Sequence, residues 1–376
     1  LIHSESVVTA VRRAVGPGKI AMHEPSLGWR ERAAVMESLD GGVVGYDFVD
    51  RFQSAVANAC GTEQSLAVSS GTAALHLALM VCGVGTNHEV IVPALTFIAT
   101  ANAVRYCGAF PHFVDSRESD LGIDPDKLRH YLSVVAEKRE KGTFNKLTGR
   151  RIRAIIAVHL LGNPCDMNSI MEIAASYGLP VIEDAAEALG SNVNGRPCGS
   201  FGHVGAVSFN NNKIVTTNGG GALVTNDPFL QAKAWSLGTT ARIAHPWLME
   251  HTEVAWNYRM GNINAAFGLP QIERLQQIVI AKGILHQRYL DEFGDLMFRS
   301  SAGSNDWLNA IVLPPGEAVH RDAICKALTD DGISCRALFT PLHVLPFYAS
   351  NPRDNLDCAE SLFRRVICLP SSPKLA

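Results

Sequence analysis

From about residue 55 to residue 235, short apolar runs rich in β-formers alternate with segments of helical periodicity. No other feature of the sequence restricts the fold as strongly, because this alternation builds parallel strands joined by crossover helices. Glu89-Val-Ile-Val-Pro93, Pro111 to Asp115, Ala154 to His159, Val181 to Asp184, Val204 to Phe209 and Ala222 to Thr225 read as strands. Thr72 to Cys82, Phe97 to Cys107, Asp124 to Ala136 and Asp166 to Tyr177 read as helices between them. Asp124-Pro125 is a strong helix start, since the carboxylate caps free N–H groups and proline presets the first helical φ. The expectation is an α/β fold with a mostly parallel sheet flanked by helices on both faces. Ligands then belong outside the carboxyl ends of the strands.

Beyond residue 260 the pattern changes. Asn264 to Phe293 reads as one long helical stretch, with Pro270 placed to kink or divide it. Trp307 to Leu313 reads as a strand and Arg321 to Asp331 as a helix, an α+β pattern. On this reading residues 1–260 form a large domain that includes the N-terminal segment. Residues 261–376 supply a linking helix and a smaller α+β C-terminal domain. The basic run from Lys138 to Arg153 reads as a solvated insertion in preference to a nucleotide-phosphate site.

Lys+Arg 33 against Asp+Glu 36 leaves a net charge of −3, too balanced to draw the protein to nucleic acid or anionic lipid. No apolar run approaches the ~20 residues of a membrane-spanning helix. Leu1-Ile-His-Ser-Glu-Ser6 has no charged-then-apolar signal pattern. Nine scattered cysteines without a Cys-x-x-Cys pair argue for reduced thiols, hence for the cytoplasm, over a disulfide framework or zinc ribbon. Among thirteen histidines there is no His-Glu-x-x-His, so no metal site is expected. Gly83-Val-Gly85-Thr-Asn-His88 fails the dinucleotide fingerprint at its last glycine, and neither a P-loop nor a nucleophile elbow is present.

Three features remain. Ser69-Ser-Gly-Thr72 opens the first helix of the alternating region, where free N–H groups and the positive dipole end suit a phosphate; an ordinary N-cap is the plain alternative. Asp184 ends a strand at the ligand edge, and burying its carboxylate is costly unless a cation such as a protonated pyridine nitrogen meets it. A helix cap is the alternative there. Lys213 lies between the strand ending at Ser208-Phe209 and the glycine-rich turn Thr216 to Gly221. A desolvated lysine can form a Schiff base with an aldehyde, whereas most loop lysines are merely solvated. A phosphate cup, an acid for a ring nitrogen and a lysine are together what pyridoxal phosphate requires.

In Ser70-Gly-Thr-Ala-Ala-Leu-His-Leu-Ala-Leu79, Glu89 to Val104, Val181-Ile-Glu-Asp-Ala-Ala-Glu187, Ser208-Phe-Asn-Asn-Asn-Lys213 and Asn257-Tyr-Arg-Met260, the chain resembles the DegT-type sugar aminotransferases. These are pyridoxal 5'-phosphate enzymes of fold type I, and the resemblance is to those of legionaminic-acid and bacillosamine-type nucleotide-sugar pathways. It implies a seven-stranded type of sheet in the large domain. It implies that Lys213 holds the cofactor and moves a proton, and that Asp184 pairs with the ring nitrogen. Phe97 and Ala186 would cover the two ring faces, with Glu187 beside the ring hydroxyl. Ser70, Gly71, Thr72 and Ser208 would bind the phosphate, joined by Asn257 from a second subunit, which implies a homodimer with shared active sites.

The implied reaction moves an amino group from L-glutamate to a nucleotide-activated keto sugar, a 4-keto-6-deoxy-hexose, for surface-glycan amino sugars. His343 is a candidate substrate contact, with a plain core or surface histidine as the alternative. Family members with histidine in place of the lysine remove a hydroxyl instead, so a sugar dehydratase is one rival reading and a non-catalytic nucleotide-sugar-binding relative is another. Several positions depart from the family pattern: Ser70 for the usual Asn, Asn211 and Asn218 for the usual Gly, His159-Leu-Leu-Gly-Asn163, and Gly261 for Pro. Asn211 draws attention because it could alter the backbone next to Lys213.

Overall fold

The computed structural model describes residues 2–41 and 45–376. Helices α1 (Ser4–Val15), α2 (Trp29–Asp40) and α3 (Asp47–Cys60) precede the alternating region. There, β1 (Gln64–Val68), α4 (Gly71–Val81), β2 (Glu89–Pro93), α5 (Ala99–Tyr106), β3 (Phe110–Val114) and α6 (Pro125–Val135) follow one another. After the hairpin β4 (Ala136–Arg139) and β5 (Gly142–Asn145) come β6 (Ile152–Val158), α7 (Met167–Tyr177) and β7 (Val181–Asp184). A second hairpin, β8 (Asn192–Val193) and β9 (Arg196–Pro197), leads to β10 (Val204–Ser208), β11 (Gly221–Thr225) and α8 (Pro228–Gly238). The main sheet has seven strands in the order β1-β11-β10-β7-β6-β2-β3. Its pairings are parallel except the two made by β11.

Every strand and helix expected between Thr72 and Thr225 is present, with ends displaced by a few residues at most. Asp124 caps α6 as its sequence implies, its Oδ1 accepting from the N–H groups of Asp126 and Lys127. Strand β1 and both hairpins were not anticipated; each is short, and two-residue strands carry no periodicity to read. The sheet is buried on both faces. Leu75, Leu79, Val92, Ala103 and Leu237 belong to one apolar cluster, and Ile91, Ile155, Leu128, Leu132 and Ile170 to another on α6 and α7.

The long helical stretch is two helices, α9 (Asn262–Glu273) and α10 (Leu275–Phe293). The break falls at Arg274, four residues past Pro270, where φ is −103° and ψ is 8°. Pro270 removes one donor inside α9, and the Arg274 guanidinium turns away to pair with Glu31 and with Ser26 O at 3.1 Å. Strand β12 (Asn309–Val312), α11 (Arg321–Asp330), β13 (Arg336–Ala337), α12 (Asp357–Arg365) and β14 (Val366–Leu369) complete the chain, with a sheet in the order β12-β14-β13. Helix α1, grouped by sequence with the large domain, packs on this last part. Its stripe of Val7, Ala10, Val11 and Ala14 shares a core with Leu285, Tyr289, Ile324, Leu328 and Ile367.

The basic run forms β4, β5 and the start of β6, with Lys138, Arg139, Lys141 and Lys146 exposed. It docks at the amino end of the sheet, opposite the strand ends expected to meet ligands. There the buried Glu89, first residue of β2, accepts from Asn145 Nδ2 at 2.9 Å and Thr148 Oγ1 at 2.6 Å. No described helix is long and apolar enough to cross a membrane.

Helix α10 also carries Lys282 into the core. Burial pushes its amine down from 10.5 to about 7, against a weaker opposing pull from Asp306. The unfolded side chain keeps its ordinary value, so between about pH 7 and pH 10 the unfolded state binds more protons and stability rises with pH. Lys282→Met is expected to flatten this slope and to raise the melting temperature at pH 7. Melting curves of both proteins across that range test it; identical slopes would refute the assignment.

Candidate active site

The carboxyl ends of β1, β2, β6, β7 and β10 open on one cavity of about 270 Å³. From β1 and the start of α4 come Ser70, Gly71 and Thr72; from β2 and the turn after it, Thr96 and Phe97. Strand β7 supplies Asp184 and, just beyond, Ala186 and Glu187, while β10 supplies Ser208 and then Asn210, Asn212 and Lys213. Trp307, Arg336 and Phe339 close it from the side of the small sheet.

Ser70 caps α4, its Oγ accepting from Ala73 N–H at 3.0 Å. The N–H groups of Gly71 and Thr72 belong to the first turn of the helix, where no intrahelical partner exists. A Cβ on Gly71 would stand 2.8 Å from Ser208 Cβ, and one on Gly221 would stand 2.5 Å from the Ser70 carbonyl. These glycines let the helix start sit directly against β10 and β11, which forms a narrow cup lined by backbone donors and hydroxyls.

Asp184 is buried. Thr100 Oγ1 donates to its Oδ2 at 2.7 Å and Ala186 N–H to its Oδ1 at 3.2 Å. Desolvation holds the carboxyl above its ordinary range, opposed by the Thr100 and Ala186 hydrogen bonds and by the charge of Lys213. Among the described residues no cation pairs with it. Glu187 is raised by burial too, with Lys213 pulling the other way. Its Oε1 lies 3.4 Å from Lys213 Nζ, and its Oε2 accepts from Leu161 N–H at 2.8 Å. Lys213 is itself buried, and its Nζ lies 4.0 Å from the centre of the Trp307 ring.

Of the residues singled out by sequence, Ser70, Gly71, Thr72, Phe97, Asp184, Ala186, Glu187, Ser208 and Lys213 meet in this cavity. Phe97 is half-exposed at its mouth, its ring 5.8 Å from that of Phe339. Asn257 is not among them; it is exposed in a separate depression beside Tyr46, Arg259 and Gly261. His343 is not brought to the cavity either. It is buried, and its Nε2 lies 3.1 Å from Glu360 Oε1. Asn211 has an ordinary negative φ, whereas Asn218 adopts φ 56°, a conformation asparagine tolerates better than most residues. The glycine replacement that needs an unusual backbone is thus at 218, not beside the lysine.

Thr100, Trp307, Arg336 and Phe339 were missed. Thr100 lies inside a helix, where a hydroxyl carries no functional signal. The others come from residues more than 90 positions past Lys213, beyond the reach of local patterns. Leu161 offered no signal at all, yet it holds φ 58° and is buried. A non-glycine residue in this region is strained, and here the strain aims an N–H at Glu187.

A family model described as the DegT/DnrJ/EryC1/StrS aminotransferase family matches residues 25–376. The chain is 36% identical over 358 residues to a GDP-perosamine synthase of Caulobacter vibrioides, covering 91% of this chain and 90% of that one. It is 35% identical to a GDP-perosamine synthase of Vibrio cholerae, covering 95% of each. The crystal structure of a DegT DnrJ EryC1 StrS aminotransferase from Brucella abortus superposes with a TM-score of 0.83 at 30% identity, over 92% of this chain and 91% of that one.

Gly71→Ala is expected to cost about 1–3 kcal/mol through overpacking against Ser208. Adding Ser208→Gly, which removes the obstructing Cβ, should return most of that loss. Thermal unfolding of the cofactor-free single and double variants decides the point. An unchanged single variant would mean that the close approach is absent.

Proposed function

The chain belongs to the DegT/DnrJ/EryC1/StrS aminotransferase family, and on that footing we propose that it moves an amino group from L-glutamate to the keto group of a nucleotide-activated 4-keto-6-deoxy-hexose. The observation that carries this reading is the meeting of a buried lysine and a buried, uncompensated carboxylate beside a helix start in one cavity. Pyridoxal phosphate, on which aminotransferases of this family depend, supplies an aldehyde that condenses with amines and a ring that withdraws electrons.

The residues fit that group. Lys213 is the one lysine among the described lining residues of the cavity. Asp184 lacks a cation, and a protonated ring nitrogen would satisfy it and keep the ring an electron sink. The cup at Ser70, Gly71, Thr72 and Ser208 offers donors and a positive dipole end to a phosphate. Once free, the Lys213 amine is placed to carry a proton between substrate carbon and cofactor. Glu187, 3.4 Å away, steadies its charged form.

The sugar nucleotide would enter past Phe97, Arg336 and Phe339. The Arg336 guanidinium is suited to an anionic part of a substrate. Both relatives above are named for making a guanosine-diphosphate-linked amino sugar, which supports a nucleotide diphosphate as the handle on the substrate. Asn257 reaches the phosphate cup of a second copy, so the active unit is a homodimer in the cytoplasm.

Purified protein with pyridoxal phosphate is expected to show a visible band that L-glutamate converts to a shorter wavelength. Lys213→Ala should lose the band and the turnover while remaining folded; retained turnover with cofactor present would end this reading. Asp184→Ala should keep the band but lose at least about 10²-fold in rate, and near-normal turnover would refute its role. Mixing Lys213→Ala with Asn257→Ala, each inactive alone, should restore activity because mixed dimers regain one intact site. Failure of the mixture to recover, with mixed dimers demonstrated by mass, would place Asn257 in its own subunit's site.

A further inference from the structure

Lys282 is the charged side chain that α10 carries into the interior. Its Nζ donates to two backbone carbonyls, Trp307 O at 3.1 Å and Ser371 O at 2.5 Å. Among the described residues no carboxylate pairs with it. Asp306, whose charge favours the protonated amine, has its Oδ1 engaged by Ser300 Oγ at 2.5 Å. As filler the residue is poor, because a methionine would occupy similar volume without desolvating an amine. What it supplies is a fixed strut between two carbonyls.

The strut ends on Trp307. The centre of this indole is 4.0 Å from Lys213 Nζ, and its Nε1 donates to Asn212 O at 2.9 Å. The Trp307 N–H donates to Asn305 Oδ1 at 2.8 Å. Asn305 Nδ2 in turn donates to the carbonyls of Glu187 and Leu189, each at 2.9 Å. Residues 305–307 therefore tie together the backbone of Glu187, whose carboxylate faces the Lys213 amine, and the indole, and Lys282 holds the far end of that segment. His23 packs with its ring 6.4 Å from the same indole, and among the described residues it makes no hydrogen bond to Trp307. It offers no polar hold on Trp307 in place of Lys282.

We propose that Lys282 is a positioning residue for Lys213: through the Trp307 carbonyl it seats the indole against the amine, and so sets how readily that amine gains and gives up a proton. An aromatic face favours a cationic nitrogen over a neutral one, whether the nitrogen is free or joined to the aldehyde, so an indole that shifts from its place 4.0 Å away moves the titration of the band without touching substrate. The proposal rests on Lys213 being the residue that binds pyridoxal phosphate. Absence of a visible band in the wild-type protein would be a failure of that reading and not of this one.

The test is a pH titration of the visible band formed with pyridoxal phosphate, in wild type, Lys282→Met, Trp307→Phe and the double variant, alongside kcat and KM. Lys282→Met is expected to move the titration midpoint in the same direction as Trp307→Phe and to lower kcat about tenfold. The KM for the amino donor should stay within about twofold. The double variant should be no worse than Trp307→Phe alone, as two changes on one route are not additive. A folded Lys282→Met with wild-type midpoint and kcat overturns the proposal, and so do additive losses in the double variant. If Lys282→Met does not fold, Lys282→Gln, whose shorter side chain loosens the hold on the Trp307 carbonyl, is titrated in its place: a midpoint displaced in the direction of Trp307→Phe supports the route, and a wild-type midpoint and kcat remove it.

Discussion

Lys213 can be buried at the edge of a parallel sheet because Glu187 lies 3.4 Å from its amine and an indole covers it at 4.0 Å. An isolated ammonium at this depth would lose its proton or pull the loop into solvent. Much of the surrounding structure exists to hold that arrangement. Glu187 is fixed by the Leu161 N–H, which requires Leu161 at φ 58° and Gly162 at φ 89° in succession. Gly162 cannot be anything larger, since a Cβ there would fall 1.9 Å from Asn305 Oδ1. The same Asn305 holds the Glu187 carbonyl and the Trp307 N–H. One strained turn, one asparagine and one indole thus form a closed circuit around the amine.

The buried acids of the sheet show how a functional carboxylate differs from a structural one. Glu183 and Asp184 are adjacent on β7 and point to opposite faces. Glu183 accepts from the N–H groups of Gly199, Phe201 and Gly202, and His159 Nε2 lies 3.0 Å away. Its lone pairs are filled by the fold, so it stabilises the 199–202 turn and has nothing left to offer a ligand. Glu89 is filled in the same way by His112, Asn145 and Thr148. Asp184 receives only Thr100 Oγ1 and Ala186 N–H and borders a cavity, and burial holds its carboxyl above the ordinary range. Among the described residues that carboxylate has two donors and no cation, and this shortfall sets it apart from Glu183 and Glu89.

The alternating strands and helices were legible because their causes are local: apolar runs, Asp124-Pro125 at one helix start and Asp166 at another. The cup and the lysine were legible for the same reason, since Ser70 to Thr72, Asp184 and Lys213 each sit at a strand end that the sequence itself marks. What could not be read depends on distant packing. Helix α1 shows a good apolar stripe, but nothing in residues 4–15 says that its partners are Leu285, Ile324 and Ile367. Trp307 looks like any core aromatic until the fold sets it on Lys213. His343 shows the same limit: its chemistry invites a role, but only the fold shows that it lies outside the cavity with Nε2 3.1 Å from Glu360. Asn211 and Asn218 are alike in sequence, and only the turn geometry shows that 218 occupies the left-handed conformation.

Asp184, Ser208 and Lys213 come to the cavity from the large sheet and its loops, whereas Arg336 and Phe339 come from the C-terminal part. Asp184 and Ser208 are the last residues of paired strands, β7 and β10, whose register fixes them relative to one another, and Lys213 follows β10 by five residues. Arg336 begins the short strand β13 and Phe339 lies just past it; among the described residues β13 pairs with β14 alone. Arg336 is flanked by the Trp307 and Phe339 rings at 5.9 and 5.5 Å. A short, lightly paired strand can change length and side chains without disturbing the seven-stranded sheet. Trp307 belongs to both: it stands at the mouth by position, and its ring centre lies 4.0 Å from the Lys213 amine.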